Sequence, residues 1–388
     1  MRWLPWEYAV RNMGRSPLRL ALMVGGSALV VLLVLTAAGF VRGMNSSLQT
    51  SGSPDNVIIL AAGSEESVER SEISAGVVSV IGSSVAGLRS TAGVDYVSPE
   101  IHLDARLHHE PDDERPLPVA LRGVTPEALL VHRQVRLVHG HWPEAGQDQV
   151  LVGRYALHRL DLPEGEAVLG RTLYFDGRPW TVTGVLASPG SAIDSEVWVP
   201  LDVLQTATRR QTLSCVIITL GEAELVDVEL FATRRLDLEI VAMSEPAYYA
   251  QVATFYRPIQ LMTLATAGLI GIGGLFGGLN TLYAAFAARV REFATLQTLG
   301  FSRRAILLSL VQEAVLATTA GGLLAAAVAL LALDGLAVRF AMGTVGLQID
   351  SLVLAIGLVT ALGLGLVGAL PPAIACLRLP ITTALKAV

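Results

Sequence analysis

The sequence predicts an α-helical membrane protein: four transmembrane helices plus an α/β (α+β) extracytoplasmic domain that carries an inserted β-rich subdomain. Three observations predict it. Only 16% of residues are charged and the mean hydropathy is +0.54, outside the usual range of soluble domains. The apolar residues gather into four long runs almost free of charge, and a spanning helix needs ~20 such residues. Between the first two runs lie more than 200 residues of mixed, acidic composition, enough to bury a core of their own.

Taken in order, residues 3–15 place Trp6, Val10 and Met13 on one helical face and Glu7, Arg11 and Arg15 opposite. With Trp3 and Tyr8 they predict an amphipathic helix (1–17) lying on the cytoplasmic surface. Residues 18–41 carry one charge, Arg19, at their edge. This run exceeds the 7–15 apolar residues of a cleavable signal, so it reads as an uncleaved anchor. The second span is expected over 258–286, the third over 305–333 with Glu313 as its one charge, and the fourth over 351–375. Residues 334–350 are expected as a short outer loop and 376–388 as a cytoplasmic tail.

The arginines set the orientation. Arg2, Arg11 and Arg15 precede the first span; Arg289, Arg291, Arg303 and Arg304 fill the 287–304 loop. Positive loops stay inside, so both termini and this loop are expected in the cytoplasm and residues 42–257 outside. That outer segment holds 29 Asp and Glu against 17 Arg. Cys215 falls outside and Cys376 at the inner face, so the two are not expected to pair.

Within 42–257, runs such as 56–60, 94–99, 117–124, 171–175, 180–186, 196–200 and 216–220 read as strands. Residues 72–89, 125–131, 200–210 and 222–235 read as helices. Turn signals crowd 119–209, which is expected as a β-rich subdomain inserted into an α/β unit built from both flanks.

The chain lacks the Gly-rich, lysine-bearing loop that cradles nucleotide phosphates; its one lysine is Lys386. No ATP hydrolysis by that route, no bound cofactor and no catalytic constellation is expected. All seven histidines lie between His102 and His158. "HLDARLHHEPDDE" (102–114) reads as a solvated acidic loop, with a metal site as the alternative. Asp194, Ser195 and Glu196 invite a hydrolytic reading, but their stretch looks like a strand. Glu313, with Gln312 beside it, lies inside a span, where a charge faces a partner or the bundle interior. Gly273–Gly277 and Gly274–Gly278 are small-residue pairs that suit close helix packing.

"REFATLQTLGFSRR" (291–304) asks for more than a polar loop. Val290, Phe293 and Leu296 give one apolar face, with Arg291, Glu292, Thr295 and Thr298 elsewhere. Gly300 fits a left-handed cap, with Phe301 packing back on Leu296. Ser302 suits the start of the next helix, whose first residues are Arg303 and Arg304. A capped helix facing the cytoplasm is what a docking element needs.

At these residues the chain resembles the FtsX-like/MacB-like permeases of ABC transporters. "RVREFATLQTLGFSRRAI" (289–306) and "EAVLATTAGGLLA" (313–325) look like that family's C-terminal region, and "EYAVRNMGRSPLRLAL" (7–22) like its surface helix and first span. "SGSPDNVIIL" (51–60), "DQVLVGRYALHRL" (148–160) and "WTVTGVLASPGSAIDSEVWVPL" (180–201) look like its periplasmic core. The resemblance implies a permease dimer, homo- or hetero-, working with two copies of a separate ATPase that binds ATP and Mg. It implies coupling through Arg291, Glu292, Thr295, Leu296, Leu299, Gly300, Ser302 and Arg303, with motion transmitted to the outer domain. Members of the family drive efflux with a periplasmic adaptor, extract lipoproteins, or activate a cell-wall hydrolase; export is the leading expectation. Nothing points to nucleic acid.

Overall fold

Among the described residues, four helices are long and apolar enough to cross a membrane: α1 (Pro17–Ser51), α7 (Glu245–Ala287), α9 (Arg303–Val328, continued by a π turn to Leu333) and α10 (Ser351–Leu377). The computed structural model describes residues 16–111, 116–163, 165–340 and 343–385, so the surface helix expected over 1–17 lies almost wholly outside the described residues, as does Lys386. The first two helices outrun their apolar stretches: α1 continues ten residues past the expected end at 41, and α7 begins thirteen residues before 258. At 1.5 Å per residue a run of this length exceeds a ~30 Å hydrocarbon core.

The chain forms two units, a helical one (Met1–Arg42, Ile259–Leu336 and Leu347–Val388) and a sheet one (Gly43–Pro258 and Ala337–Gly346). In the helical unit Val31, Leu35 and Ala38 of α1 pack with Ala325 and Ala329 and with Val353 and Ala361 of α10. Close approach depends on small residues. Gly321 lies against Ser27 and the Val24 carbonyl, and Gly365 against Thr318 and Val315. Of the four glycines expected to pack α7, only Gly274 does so, against Val30; Gly273, Gly277 and Gly278 have nothing within 4 Å of where a Cβ would stand. Neighbours in sequence diverge by about 100°, which turns Gly273 and Gly277 away from the face that Gly274 presents to Val30.

The sheet unit is a ten-stranded mixed sheet with helices on both faces. Its order is β14 (Ile240–Ser244), β1 (Asn56–Ala61), β13 (Cys215–Thr219), β5 (Val97–Leu107), β6 (Leu117–Val124), β11 (Glu196–Pro200), β8 (Gln149–Gly153), β10 (Arg178–Ala187) and β7 (Arg136–Gly140), with β9 (Thr172–Phe175) on the free half of β10. Alternation along the strands sorts side chains to two cores. Val57 and Ile59 join Val77 and Ile81 of α2 (Gly76–Ser84), while Ile58 and Leu60 join Cys215, Ile217 and Tyr248 on the other face. Burial on both faces explains why NVIIL reads as an unbroken apolar run. On the first face lie also α4 (Arg154–Arg159), α5 (Leu201–Thr208) and α6 (Leu225–Arg234); α3 (Ala128–Val131) serves the second face. Short ladders β2 (Ile73–Ser74) with β12 (Thr212–Leu213), and β3 (Ser90–Thr91) with β4 (Val94–Asp95), complete the unit.

Three sequence expectations change here. The 119–209 stretch is not a body apart, because β5 pairs with β13 through residues 97–100 and with β6 through 101–107, making one sheet of both halves. The helix expected over 72–89 shrinks to α2, since Ile73–Ser74 pairs as β2. The 334–350 segment is no plain loop: β15 (Ala337–Phe340) and β16 (Gly343–Gly346) form a hairpin belonging to the sheet unit. There Gly346 lies so near α4 that a Cβ would come within 2.8 Å of the Tyr155 hydroxyl. Flanking it, Asp334 accepts the Ile349 N–H at 2.9 Å, and Asp350 caps α10 by accepting the Val353 N–H at 3.0 Å.

Ile101 is fully buried where the two halves of the sheet meet. Ile101→Ala is expected to cost about 2–5 kcal/mol, read as a lowered unfolding midpoint of the detergent-solubilised chain followed by tryptophan fluorescence, with helix content unchanged before the transition.

Candidate functional site

The segment between α7 and α9 is a short helix, α8 (Val290–Thr298), seated by one face. Val290, Phe293 and Ala294 are buried against Ile306 and Leu310 of α9 and Ala369 and Ala373 of α10, with Leu296 partly buried beside them. A second helix, α11 (Ile381–Leu385), packs on α8 from within the expected tail. The C-terminal cap is formed as its residues require. Gly300 has φ +89°, its N–H reaches the Gln297 carbonyl and the Phe301 N–H reaches that of Leu296, both at 3.1 Å. These are the two bonds of the Schellman motif. Ser302 then caps α9, its hydroxyl accepting the Ala305 N–H at 3.3 Å.

The structure divides the eight proposed docking residues. Arg291, Thr295, Leu299, Gly300 and Arg303 are exposed. Arg291, Thr295 and Leu299 recur at helical spacing, so they make one outward strip. Glu292 and Leu296 instead serve α8 itself, by ion pair and packing, and Ser302 caps α9. Arg303 leans back to donate from Nε to the Gln297 side-chain oxygen at 3.2 Å.

Glu313 is buried, and two arginines take its two oxygens. Arg19 Nη2 on α1 lies 2.9 Å from Oε1, and Arg289 Nη1, just before α8, lies 3.0 Å from Oε2. Arg289 also donates from Nε to Glu292 at 2.9 Å and sits 5.2 Å from the centre of the Phe293 ring. Gln312 takes no part in this network. In the sequence Arg289 counted only toward loop charge and Arg19 only as an edge residue; the carboxylate in a span was the one signal pointing to them.

The sheet unit holds a second charged cluster. Register places His102 of β5 and Trp198 of β11 on either side of Arg122 of β6. Arg122 Nη1 lies 3.1 Å from Glu100 Oε2, while Nη2 and Nε each lie 2.7 Å from an oxygen of Glu196. Glu100 also accepts from the Nε2 atoms of His132 at 2.7 Å and His102 at 3.0 Å, and from the Ser98 hydroxyl at 2.8 Å. Burial pushes the Glu100 carboxyl upward, but Arg122 foremost, and then the two histidines, hold it well below the usual carboxylate range. Glu196 is likewise lowered, burial being outweighed by Arg122. The stretch read as a solvated loop is therefore strand as far as Leu107, and His102 is part of a buried cluster. A strand whose inward residues are charged looks like a loop in sequence.

Glu100, His102 and Cys215 have ligand atoms within 4.8 Å of one another. Their chemistry does not suit a metal. Arg122 already supplies positive charge to the oxygen that His102 shares, and burial pushes the Cys215 thiol up, keeping it from the thiolate that metals require. Asp194 accepts the Ser188 backbone N–H and Glu196 binds Arg122, so both carboxylates of the stretch once read as hydrolytic make structural contacts. Beside the cluster, residues of β5, β6 and β11 with Tyr248, Tyr249 and Tyr256 line a partly open cavity of about 160 Å³.

Apolar helices long enough to cross a membrane, a short capped helix between two of them and a large mixed sheet fit the permease class of membrane protein. The MacB-like periplasmic core domain matches residues 20–229 and the FtsX-like permease C-terminal domain matches residues 264–381. The chain belongs to the FtsX/MacB-like family of ABC transporter permeases. Among solved structures, it is similar to the periplasmic region of MacB from Actinobacillus actinomycetemcomitans, at 13% identity over 52% of this chain and 94% of that one, with a TM-score of 0.39. It is also similar to the extracellular domain of the noncanonic ABC-type transporter YknZ from Gram-positive bacteria, at 14% identity over 49% and 100%, with a TM-score of 0.38. No curated protein matches the chain.

Glu100 titrates at lower pH folded than unfolded, so its contribution is fully present above the unfolded value near 4.5 and is lost as pH falls through the folded one. Glu100→Gln, which strands Arg122, is expected to destabilise by about 3–5 kcal/mol at pH 7. Denaturant titrations across pH 3–7 should show the gap from wild type closing only on the acid side of ~4.5.

Proposed function

We propose that this chain is the non-catalytic permease subunit of an exporter, passing the motion of a separate ATPase to its sheet unit, which stands outside the membrane. The observation that carries this reading is α8. It is fixed by an apolar seat and by the cap at its C-terminus, yet it leaves Arg291, Thr295 and Leu299 exposed on one strip. Such a helix gains little for the chain's own stability and suits a groove on a partner protein. The family implies that the partner is an ABC ATPase, which supplies the ATP and Mg chemistry that this chain lacks.

In this reading two ATPase copies engage two permease copies, each by one α8. The orientation follows from the arginines at α8 and ahead of α1, which keep those ends in the cytoplasm. Closure of the ATPase pair draws the two α8 helices together. The long helices α1 and α7, which run beyond their apolar stretches, lead from the membrane to the first and last strands of the sheet. Cargo then moves outside, with an adaptor protein continuing the route across the envelope.

The test is affinity purification from native membranes in mild detergent. An ATPase is expected at equal stoichiometry with the permease. Arg291→Glu should lower its recovery at least about tenfold, the effect of ~1.4 kcal/mol at an interface. Arg106→Glu, in the sheet unit, should leave it unchanged. Recovery of no ATPase with wild type, under conditions that preserve a control ABC complex, removes the reading.

A further inference from the structure

Resting on the reading of α8 as the docking helix, we propose that Glu313 is the positioning residue that makes α8 move the spans rather than slip across them. The apolar seat of α8 cannot do this alone. Contacts among Val290, Phe293, Ile306 and Leu310 are non-directional, and a helix can shift over such a surface while keeping most of its burial. A charge-assisted hydrogen bond fixes both distance and direction.

Glu313 supplies that fixed point, and it does so for three segments at once. One oxygen holds Arg19 at the entry of α1 and the other holds Arg289 at the entry of α8, while Glu313 itself belongs to α9. Arg289 is tied to α8 twice more, by its Nε to Glu292 and by its guanidinium against Phe293. A displacement of α8 therefore carries Arg289 with it. Glu313 must follow or lose its partner, and Arg19 follows Glu313. The side chains of Glu313 and Arg289 are 6% and 11% exposed, so little water is at hand to replace a broken bond, and leaving a buried charge unpaired is strongly disfavoured. Apolar seat and polar latch divide the labour: the seat holds α8 on the bundle, and the latch fixes where along the bundle it sits.

Arginine is required at 289 because two different N–H groups of one guanidinium meet two carboxylates, on Glu292 and Glu313. Lysine preserves every charge but offers one flexible point charge, unable to hold both directions. Arg289→Lys is thus a variant that separates the bridge from the net charge, and it remains informative if Glu313→Gln does not fold.

The experiment uses the full chain with its co-purified ATPase in nanodiscs. Both native cysteines are buried, so a spin label is placed at Val226→Cys on exposed α6. Three quantities are read: ATPase recovery, ATP hydrolysis, and the ATP-dependent change in the label's spectrum and label–label distance. Wild type is expected to show all three. Arg289→Lys and Glu313→Gln are expected to keep ATPase recovery and hydrolysis while the ATP-dependent population shift of the label falls about tenfold, corresponding to ~1.4 kcal/mol of lost coupling. An undiminished shift in both variants overturns the proposal. So does loss of ATPase recovery in Arg289→Lys, because the bridge then merely seats α8. A wild-type chain that binds no ATPase marks instead the failure of the docking reading itself, and a wild-type chain that binds one but shows no shift overturns the latch.

Discussion

A carboxylate taken out of water has to be met by cations, and that requirement organises both units of this protein. In the helical unit Glu313 draws Arg19 and Arg289 together and so draws α1, α9 and the approach to α8 together. In the sheet unit Glu100 and Glu196 converge on Arg122, joining β5, β6 and β11. In each place the charges occupy space that apolar packing fills with less desolvation cost. What the ion pairs add is a single allowed arrangement of the segments they join.

Much of the fold was legible in the sequence because its signals are local. A span shows itself as a charge-free run, and the four runs became four helices. The cap of α8 was legible in Leu296, Gly300, Phe301 and Ser302, since a cap is made by residues within one turn of each other. What escaped depends on distant partners. Arg19 and Glu313 stand 294 positions apart, and nothing near Arg19 distinguishes it from any positive flank. His102 looked solvated among Asp104, His108 and Glu110 because its partners arrive from elsewhere in the chain, Arg122 on β6 and Ser214 between β12 and β13. The hairpin β15–β16 was hidden for a related reason: its setting is the surface of α4, which the sequence places far away.

The same contrast sorts the candidate docking residues. All eight were nominated on a shared stretch of chain, yet the pitch of α8 turns Leu296 inward, and Arg289 recruits Glu292. Phe293 is almost wholly buried, so its bulk shapes the seat and leaves the outward strip to Arg291, Thr295 and Leu299. Side-chain type alone does not separate these roles; the helix phase and the nearest opposite charge do.

The order of strands in the sheet bears on how the molecule is made. β1 is the first strand of the sheet to be synthesised, yet it pairs only with β13 and β14, the last two strands made before α7. Translation runs at about 5–20 residues per second, so β1 waits on the order of ten seconds with both edges unpaired. During that time it is an apolar strand, newly delivered outside the membrane, with every ladder hydrogen bond unmade. Such an edge is a template for pairing with another chain. The ladder around β1 therefore closes only when β13 and then β14 arrive, the latter immediately ahead of the second span.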